Sequence, residues 1–504
     1  MKSDYLHRIL TARVYDVAIE TPLEPARRLS RRLNNNVLFK REDLQPVFSF
    51  KLRGAYNKLV RLQPDELARG VICSSAGNHA QGVALAAQEL GTRAVIVMPE
   101  STPTIKITAV ESLGGEIILH GATYDDAYDH ALKLAGQQQL TFIHPFDDPE
   151  VIAGQGTIGM EIHRQHSGTI DAIFVPIGGG GLIAGIALYI KSLSPKTKII
   201  GVEPEDAASM VAAMKAGKPV TLNDVGIFAD GVAVRRVGDE TFRICRELVD
   251  DIVIVDNDEI CAAIQDIFED TRTIVEPAGA LSVAGLKRFV EATGVSGQTL
   301  VTVNCGANVN FDRLRHIAER AALGEHREAL FAVEIPEQQG SFMAFCKAIG
   351  KRNITEFNYR YQDAVAAHIF VGVELRRGNE EREEILATLR DTGYPIIDMT
   401  DNEMAKLHAR HMVGGPGQGI GDERVYRFKF PERPGALLAF LTAIGNFWNI
   451  SLFHYRNHGS DYGRVLAGIQ VPDDELERFH RHLDDLGYPY TDESDNPVYK
   501  MFLA

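Results

Sequence analysis

Short apolar runs alternate with segments of helical periodicity between about residues 65 and 205, and this alternation constrains the fold more than any other feature. The runs expected to form strands are residues 71–73, 94–98, 116–119, 141–144, 173–177 and 199–203. Helical stretches such as 79–90 and 123–134 separate most of them. Such alternation indicates βαβ units and a mostly parallel sheet. Because ligands of these sheets bind at the carboxyl ends of the strands, the loops that leave the strands are the places to search for function.

The size and charge of the chain limit the number of domains and the kinds of partner that we expect. A chain of 504 residues is expected to form two or three domains. Its net charge is −15 and no run of Lys and Arg offsets it, so neither nucleic acid nor an anionic membrane is an expected partner. Residues 1–23 contain no continuous apolar stretch, which predicts that there is no signal peptide.

Cysteine and histidine usage argues against a metal site. The chain has five cysteines, Cys73, Cys245, Cys261, Cys305 and Cys346. They are odd in number and widely spaced, so they predict neither a disulfide framework nor a set of metal ligands. The 16 histidines are scattered. We therefore expect no metal, and a reducing, cytoplasmic compartment.

Residues 172–190 contain no charged side chain and are nearly long enough to span a bilayer. Pro176 and four consecutive glycines, residues 178–181, interrupt this segment in the middle. A strand, a glycine turn and a helix explain the pattern better than a membrane span does.

The C-terminal part of the chain contains an internal repeat. Residues 331–340 match residues 426–435 at an offset of 95, and residues 357–360 match 453–456 at an offset of 96. Each copy is expected to fold as strand, helix, strand, strand, helix, strand, which is a small α+β module. The recurring segments 357–360 and 453–456 are either effector-binding surfaces or paired core strands, and we favour core strands.

The composition of residues 414–421, which are mostly glycine, predicts a linker between the two copies. The resulting domain prediction is 1–325 for an α/β body, 329–413 for the first module and 423–504 for the second. Two tandem copies of a small module indicate binding or regulation. The alternative is that they only hold subunits together.

The first segment that indicates chemistry is Ser-Phe-Lys-Leu-Arg-Gly-Ala-Tyr at residues 49–56. Its apolar residues follow a helical pattern, which predicts a helix with Ser49 as the N-cap. Lys51 then lies in the first turn, where the helix dipole disfavours a cation and lowers the pKa of the amine. A lysine with a lowered pKa is suited to forming a Schiff base. Its position alone also fits an ordinary surface lysine.

A second segment, residues 74–82, directly follows a predicted strand and opens a helix. Its small residues allow backbone N–H groups to converge on an anion at the helix N-terminus. Asn78 offers both a donor and an acceptor for orienting a ring or a carboxylate. The alternative is a simple strand-to-helix turn, which rarely needs two serines, an asparagine and a histidine together.

A third segment contains four glycines between a strand and a helix, and this pattern suits a phosphate. The spacing of Gly179, Gly181 and Ala184 also fits the dinucleotide fingerprint, with Glu203 placed about 20 residues further on, where a ribose-binding acid belongs. A nicotinamide or flavin enzyme is therefore the main alternative, although it explains neither the Lys51 segment nor the Asn78 loop.

The fourth segment is an apolar strand at residues 301–303 that ends in a small polar turn containing Cys305. A free cysteine is usually a buried structural thiol. The other interpretation is that Cys305 faces a ligand atom at the carboxyl end of the strand.

Taken in this order, the four segments resemble the tryptophan-synthase-β, or fold type II, family of pyridoxal-phosphate (PLP) enzymes. With the doubled C-terminal module, the whole chain is similar to the biosynthetic threonine dehydratases (threonine deaminases) of that family. The resemblance implies a two-lobed α/β catalytic domain with mostly parallel sheets, followed by two ACT-like regulatory domains.

The resemblance also implies roles for particular residues. Lys51 holds PLP covalently and acts as the catalytic base, and Asn78 hydrogen-bonds the ring hydroxyl of the cofactor. Cys305 faces the pyridine nitrogen, where a serine is common in the family. The phosphate is bound by Gly178, Gly179, Gly180, Gly181 and Leu182. The substrate carboxylate is bound by Ser75, Ala76, Gly77 and Asn78.

The implied activity is dehydration and deamination of L-threonine to 2-oxobutanoate and ammonia, the committed step of isoleucine biosynthesis. L-Serine is a second possible substrate, isoleucine and valine are the implied effectors, and a homotetramer is the implied assembly. A PLP lyase or synthase that acts on serine and a non-catalytic amino-acid sensor are the remaining alternatives.

Overall fold

The computed structural model describes the residues 2–338, 340–360, 366–407, 409–411, 420–431, 436–444, 447–456, 462–496 and 499. The chain divides into two compact units, residues 1–321 and 322–504. The predicted boundaries at 325, 329, 413 and 423 stay predictions.

The strands and helices of the first unit follow the alternation of the sequence. Its strands are β1 (Leu23–Pro25), β2 (Asn36–Lys40), β3 (Val71–Ser74), β4 (Ala94–Met98), β5 (Glu116–Leu119), β6 (Thr141–Phe142), β7 (Ala172–Pro176), β8 (Lys198–Pro204), β9 (Asp251–Val255) and β10 (Thr299–Val303). Its helices are α1 (Lys2–Leu10), α2 (Arg27–Leu33), α3 (Lys51–Leu59), α4 (Pro64–Arg69), α5 (Asn78–Leu90), α6 (Thr104–Glu111), α7 (Tyr124–Gln138), α8 (Pro149–Gln165), α9 (Gly181–Leu193), α10 (Ser209–Ala216), α11 (Asp239–Leu248), α12 (Asn257–Thr271), α13 (Pro277–Thr293) and α14 (Leu314–Gly324), the last of which contains the boundary between the units. Single 3-10 turns lie at Glu42–Leu44, Glu205–Ala207, Asp230–Val232 and Phe311–Arg313.

The first unit contains two sheets, which confirms the predicted parallel α/β architecture. One has the strand order β5-β4-β3-β6 and is parallel throughout. The other has the order β1-β2-β10-β7-β8-β9, in which only β1 is antiparallel. Both faces of this six-stranded sheet are covered, because successive residues of a strand point to opposite faces. In β7, Ile173 and Val175 pack into one apolar cluster, and Ala172 and Phe174 pack into another.

The predicted strand 141–144 is shorter than expected. β6 ends at Phe142, because the chain turns at His144, whose ring Nδ1 accepts the backbone N–H groups of Phe146 and Asp147. The uncharged segment 172–190 divides as predicted into β7, the glycine turn and α9. Within the residues that the structure describes, no helix is long and apolar enough to cross a bilayer.

The second unit contains the two predicted copies, each with the expected order of elements. The first consists of β11 (Glu328–Pro336), α15 (Ser341–Ile349), β12 (Ile354–Arg360), β13 (Ala366–Glu374), α16 (Asn379–Asp391) and β14 (Ile396–Asp398), followed by α17 (Glu403–Leu407) and a 3-10 turn at Ala409–His411. The second consists of β15 (Glu423–Pro431), α18 (Ala436–Ile444), β16 (Asn449–Arg456), β17 (Tyr462–Gln470), a 3-10 turn at Asp473–Glu475, α19 (Leu476–Leu486) and β18 (Tyr490–Asp492). Residues 414–419, which are most of the predicted linker 414–421, lie outside the described residues.

One antiparallel sheet runs through both copies in the order β14-β11-β13-β12-β16-β17-β15-β18. The copies join where β12 pairs with β16, so that Phe357 lies opposite Tyr455 and Tyr359 opposite Phe453. All four of these side chains are at most 5% exposed and belong to one apolar core. The interpretation of the recurring segments 357–360 and 453–456 as paired core strands is therefore confirmed for these side chains.

Candidate active site

A cavity of about 840 Å³ lies in the first unit. Its wall includes the loops that leave β3, β7 and β10, which is where the parallel-sheet argument places a ligand. The candidate residues that line it are Lys51, Ser75, Ala76, Gly77, Asn78, Gly178, Gly179, Gly180, Gly181, Leu182 and Cys305. The fold thus brings together every residue that the sequence assigned to the cofactor or the substrate.

Lys51 is the first residue of α3, but the predicted N-cap is wrong. The N-cap position is Phe50, which has helical backbone angles and makes no side-chain capping bond. Ser49 lies one residue before the N-cap position, because its backbone forms a β-bridge with Gly306. Its buried hydroxyl has no hydrogen-bond partner in the described part of the chain. The Lys51 Nζ donates a hydrogen bond of 3.0 Å to the Pro145 carbonyl.

The Lys51 amine has a pKa lowered to about 8, mainly because its site inside the cavity is removed from bulk water. The neighbouring Cys305 and Glu276 oppose this shift in part. The predicted direction is confirmed, while the main cause is desolvation and not the helix dipole. The neutral fraction of an amine with this pKa is about a tenth at pH 7 and about a half at pH 8, far more than for an ordinary lysine, and a nucleophile or a base requires the neutral form.

The tetraglycine turn is built for close backbone approach. Gly180 has φ +94°, in the left-handed region, and a Cβ added at Gly179 or Gly181 meets Phe146. The Thr241 hydroxyl donates to the Gly179 carbonyl at 2.6 Å and fixes the turn. Because α9 begins at Gly181, the turn presents free backbone N–H groups at a helix N-terminus, a site suited to a phosphate.

The position of Glu203 argues against the alternative of a nicotinamide or flavin site. Its carboxylate is fully buried and accepts the backbone N–H groups of Met210 at 2.7 Å and Val211 at 2.9 Å. Burial also raises its pKa to about 7. The carboxylate that the fingerprint assigns to a ribose is therefore already used at the first turn of α10.

The Asn78 loop presents polar groups to the cavity. Ser75 Oγ accepts the Gly77 N–H at 3.2 Å, and a Cβ added at Gly77 meets no atom within 4 Å, so this backbone is open to a ligand. Ser74 Oγ and Gln155 Oε1 also line the cavity and are buried without a hydrogen-bond partner in the described structure. Unsatisfied buried polar atoms of this kind favour a bound polar molecule.

Cys305 is both a buried thiol and a residue that faces the cavity, so both interpretations of the sequence apply to it. It is only 4% exposed, yet it lines the cavity just after β10. Its thiol donates a hydrogen bond of 3.3 Å to the Ala278 carbonyl, and burial raises the thiol pKa well above its usual value. Cys305 is therefore a neutral group.

Three residues that the sequence did not assign also shape the cavity. Glu276 accepts a hydrogen bond from Asn78 Nδ2 at 2.7 Å, and Asn308 Nδ2 donates to Asn78 Oδ1 at the same distance. Phe146 packs against the glycine turn. The only local signal was Pro277, which marks the start of α13 directly after Glu276. An acidic residue at a helix start is too common to indicate chemistry.

The residues present fit PLP. The cavity offers a lysine amine of lowered pKa for the aldehyde, a glycine turn at a helix N-terminus for the phosphate, an amide for the ring hydroxyl and an uncharged thiol. The described residues contain no group of three or more His, Cys, Asp or Glu side chains that could hold a metal ion.

Comparison with known proteins identifies two families. Residues 14–306 match the family described as pyridoxal-phosphate dependent enzyme. Residues 319–409 and 414–503 each match the C-terminal regulatory domain of threonine dehydratase, which agrees with the doubled module.

The relatives match the chain over its whole length. It is 59% identical over 504 residues to the biosynthetic L-threonine dehydratase of Burkholderia multivorans, with 99% of each chain covered. It is 54% identical over 502 residues to the Escherichia coli enzyme of the same name, covering 100% of this chain and 97% of the relative.

Solved structures resemble the catalytic part. The processed form of threonine deaminase isoform 2 from Solanum lycopersicum is 53% identical with a TM-score of 0.63, covering 64% of this chain and 88% of that one. Maize serine racemase is 32% identical with a TM-score of 0.59, covering 64% and 98%. Together with the cavity, these matches show that the chain belongs to the biosynthetic threonine dehydratases, a family of pyridoxal-phosphate-dependent enzymes.

Proposed function

We propose that this enzyme dehydrates and deaminates L-threonine to 2-oxobutanoate and ammonia. The observation that carries the proposal is a lysine amine of lowered pKa that lines one cavity with a glycine turn at a helix N-terminus. The names of the full-length relatives support the choice of threonine.

The cofactor is held by residues from four loops. Lys51 would bind it covalently, the backbone of residues 178–182 would bind its phosphate, Asn78 would bind the ring hydroxyl, and Cys305 would face the ring nitrogen. When bound, PLP would supply an electron sink next to the substrate Cα. The Cys305 thiol is neutral and a weak hydrogen-bond partner, so it would give a protonated ring nitrogen little stabilisation.

The substrate is oriented by the loop between β3 and α5. Ser75, Ala76, Gly77 and Asn78 bind its carboxylate, since α5 begins at Asn78 and its first backbone N–H groups have no partner within the helix. Lys51 Nζ takes the Cα proton, which requires the neutral amine that its lowered pKa provides. The walls of the cavity limit the access of water to the reacting atoms.

The second unit is proposed to regulate the first. Its two copies match the regulatory domain of threonine dehydratase, and we assign isoleucine and valine as the effectors. The proposed assembly is a homotetramer, and the proposed place is the isoleucine pathway. Five free, buried cysteines fit a reducing compartment such as the cytoplasm.

A substrate comparison tests the proposed activity. The purified full-length chain is expected to release 2-oxobutanoate from L-threonine with a higher kcat/KM than it releases pyruvate from L-serine, as measured by keto-acid formation. The Lys51→Ala variant is the control and is expected to release neither product. A kcat/KM for serine equal to or above that for threonine contradicts the proposal and favours a serine-directed lyase.

A further inference from the structure

Asn78 lies in the middle of a partly buried chain of hydrogen bonds. Asn308 Nδ2 donates to the Val47 carbonyl at 2.8 Å and to Asn78 Oδ1 at 2.7 Å. Asn78 Nδ2 in turn donates to Glu276 Oε1 at 2.7 Å. Glu276 is 3% exposed, and a backbone hydrogen bond from Asn308 also reaches its carboxylate. The network thus joins three side chains from separate parts of the sequence.

The two ends of this network fix the orientation of both amides. The Val47 carbonyl only accepts hydrogen bonds, so the group that Asn308 turns toward it must be its NH₂. That NH₂ also faces Asn78, which must therefore present its oxygen. The Asn78 NH₂ then points to Glu276, whose pKa is raised by burial to about 7, so that above this pH its carboxylate is an anion that only accepts. One N–H of Asn78 remains for a ligand.

Two glycines clear the space for this contact. A Cβ added at Gly306 lies 2.5 Å from Glu276 Oε1 and 3.3 Å from Asn78 Nδ2. A Cβ added at Gly231 lies 3.3 Å from Glu276 Oε1 and 2.9 Å from the Ala278 side chain. Contacts below 3.4 Å are tighter than most real Cβ contacts, so any larger residue here presses on the Asn78–Glu276 pair.

We propose that Glu276 and Asn308 are positioning residues that hold the Asn78 amide with its remaining N–H directed at the ring oxygen of PLP. The inference rests on the proposed function, because it takes Asn78 as the partner of that oxygen. An N–H donor stabilises the anionic ring oxygen. A rotated amide presents its carbonyl instead and favours the protonated ring oxygen.

The visible spectrum of the holoenzyme tests this, because the lysine-bound cofactor absorbs in the visible with an anionic ring oxygen and in the near ultraviolet with a protonated one. Glu276→Gln removes the charge that fixes the amide, and we expect the ratio of visible to near-ultraviolet absorbance to fall about tenfold, the effect of one hydrogen bond. Glu259→Gln is the matched control: Glu259 is a partly buried glutamate at the start of α12 that does not line the cavity. We expect it to keep the wild-type spectrum.

A double variant distinguishes an effect of Glu276 that acts through Asn78 from a direct effect of Glu276 on the cofactor. Asn78→Ala should shift the spectrum by itself, and adding Glu276→Gln should cause no further shift, since the carboxylate acts through Asn78. An equal further shift, or an unchanged spectrum in Glu276→Gln, overturns the proposal.

Asn308→Asp tests the network from its other end and applies even if Glu276→Gln does not fold. The new carboxylate has no N–H for Val47 or Asn78 and competes with Glu276 for the Asn78 NH₂, so the amide is no longer held in one orientation and the visible band should again decline. A wild-type spectrum in this variant contradicts the inference. Because wild-type activity on threonine is measured separately, failure of the inference is distinguishable from failure of the proposed function.

Discussion

At the scale of single residues, the chemistry depends on a lysine whose surroundings raise the neutral fraction of its amine. Removal from bulk water lowers the pKa of Lys51 from 10.5 to about 8. Covalent capture of an aldehyde needs the neutral amine, so capture is expected to increase as the pH rises through about 8. Half of the Lys51 amine is neutral at about pH 8, whereas an exposed lysine is half neutral only near pH 10.4. This gap makes Lys51 selectively reactive near neutral pH.

Glu276 shows what the sequence cannot reveal at this scale. It lies 198 residues from Asn78, and neither its type nor its neighbours distinguish it from an ordinary acid at a helix start. Lys51, Asn78 and the four glycines were found because each lies in a local pattern that marks a strand-to-helix loop or a helix start. Long-range hydrogen-bond partners leave no such pattern.

At the scale of elements, a buried charge cluster fixes the helix that carries Lys51. Arg53 of α3 pairs with Glu42 after β2 at 2.8 Å and with Glu161 of α8 at 2.6 Å. Lys40, at the end of β2, pairs with Glu161 at 2.5 Å, and all four side chains are fully buried. The cluster therefore ties α3, α8 and β2 together next to the active site.

Breaking this cluster is expected to destabilise the first unit strongly. Arg53→Met leaves Glu42 and Glu161 buried with too few partners, which should lower the free energy of unfolding by about 3–5 kcal/mol. Arg69→Met is the control, because the Arg69–Asp65 pair is solvent-exposed and should contribute little to the free energy of unfolding. Urea unfolding followed by cofactor absorbance measures both. Equal losses in the two variants would contradict a structural role for the cluster.

The bounds of the elements were predicted better than their connections. β4 and β5 match the expected residues, because a run of apolar residues is a local signal in the sequence. The N-cap of α3 was wrong because a β-bridge between Ser49 and Gly306, 257 positions apart, draws the serine out of the capping position. Tertiary pairing of this kind overrides local capping preference.

At the scale of the whole molecule, the two units have separate cores. The apolar core of the second unit contains residues of both copies, and β12 and β16 join the copies into one sheet. The repeat was readable from the sequence because both copies kept the same core positions. The order of the other strands in this sheet was not, because that order depends on tertiary pairing and not on periodicity.

Removing the whole second unit is expected to uncouple regulation from catalysis. Deletion of residues 328–504, which cuts before β11 and not through the joint sheet, should leave threonine turnover that no longer responds to isoleucine. Keto-acid release with and without isoleucine measures this, with the full-length chain as the control. A truncated enzyme that isoleucine still inhibits would place the effector site in the first unit.

The central claim is the covalent attachment of PLP to Lys51. Borohydride reduction of the full-length enzyme at several pH values, followed by digestion and mass spectrometry, tests it directly. We expect the reduced phosphopyridoxyl group on Lys51, with attachment to cofactor-depleted enzyme half-maximal near pH 8. A label on a different lysine, or a purified protein that carries no such group, would contradict the account.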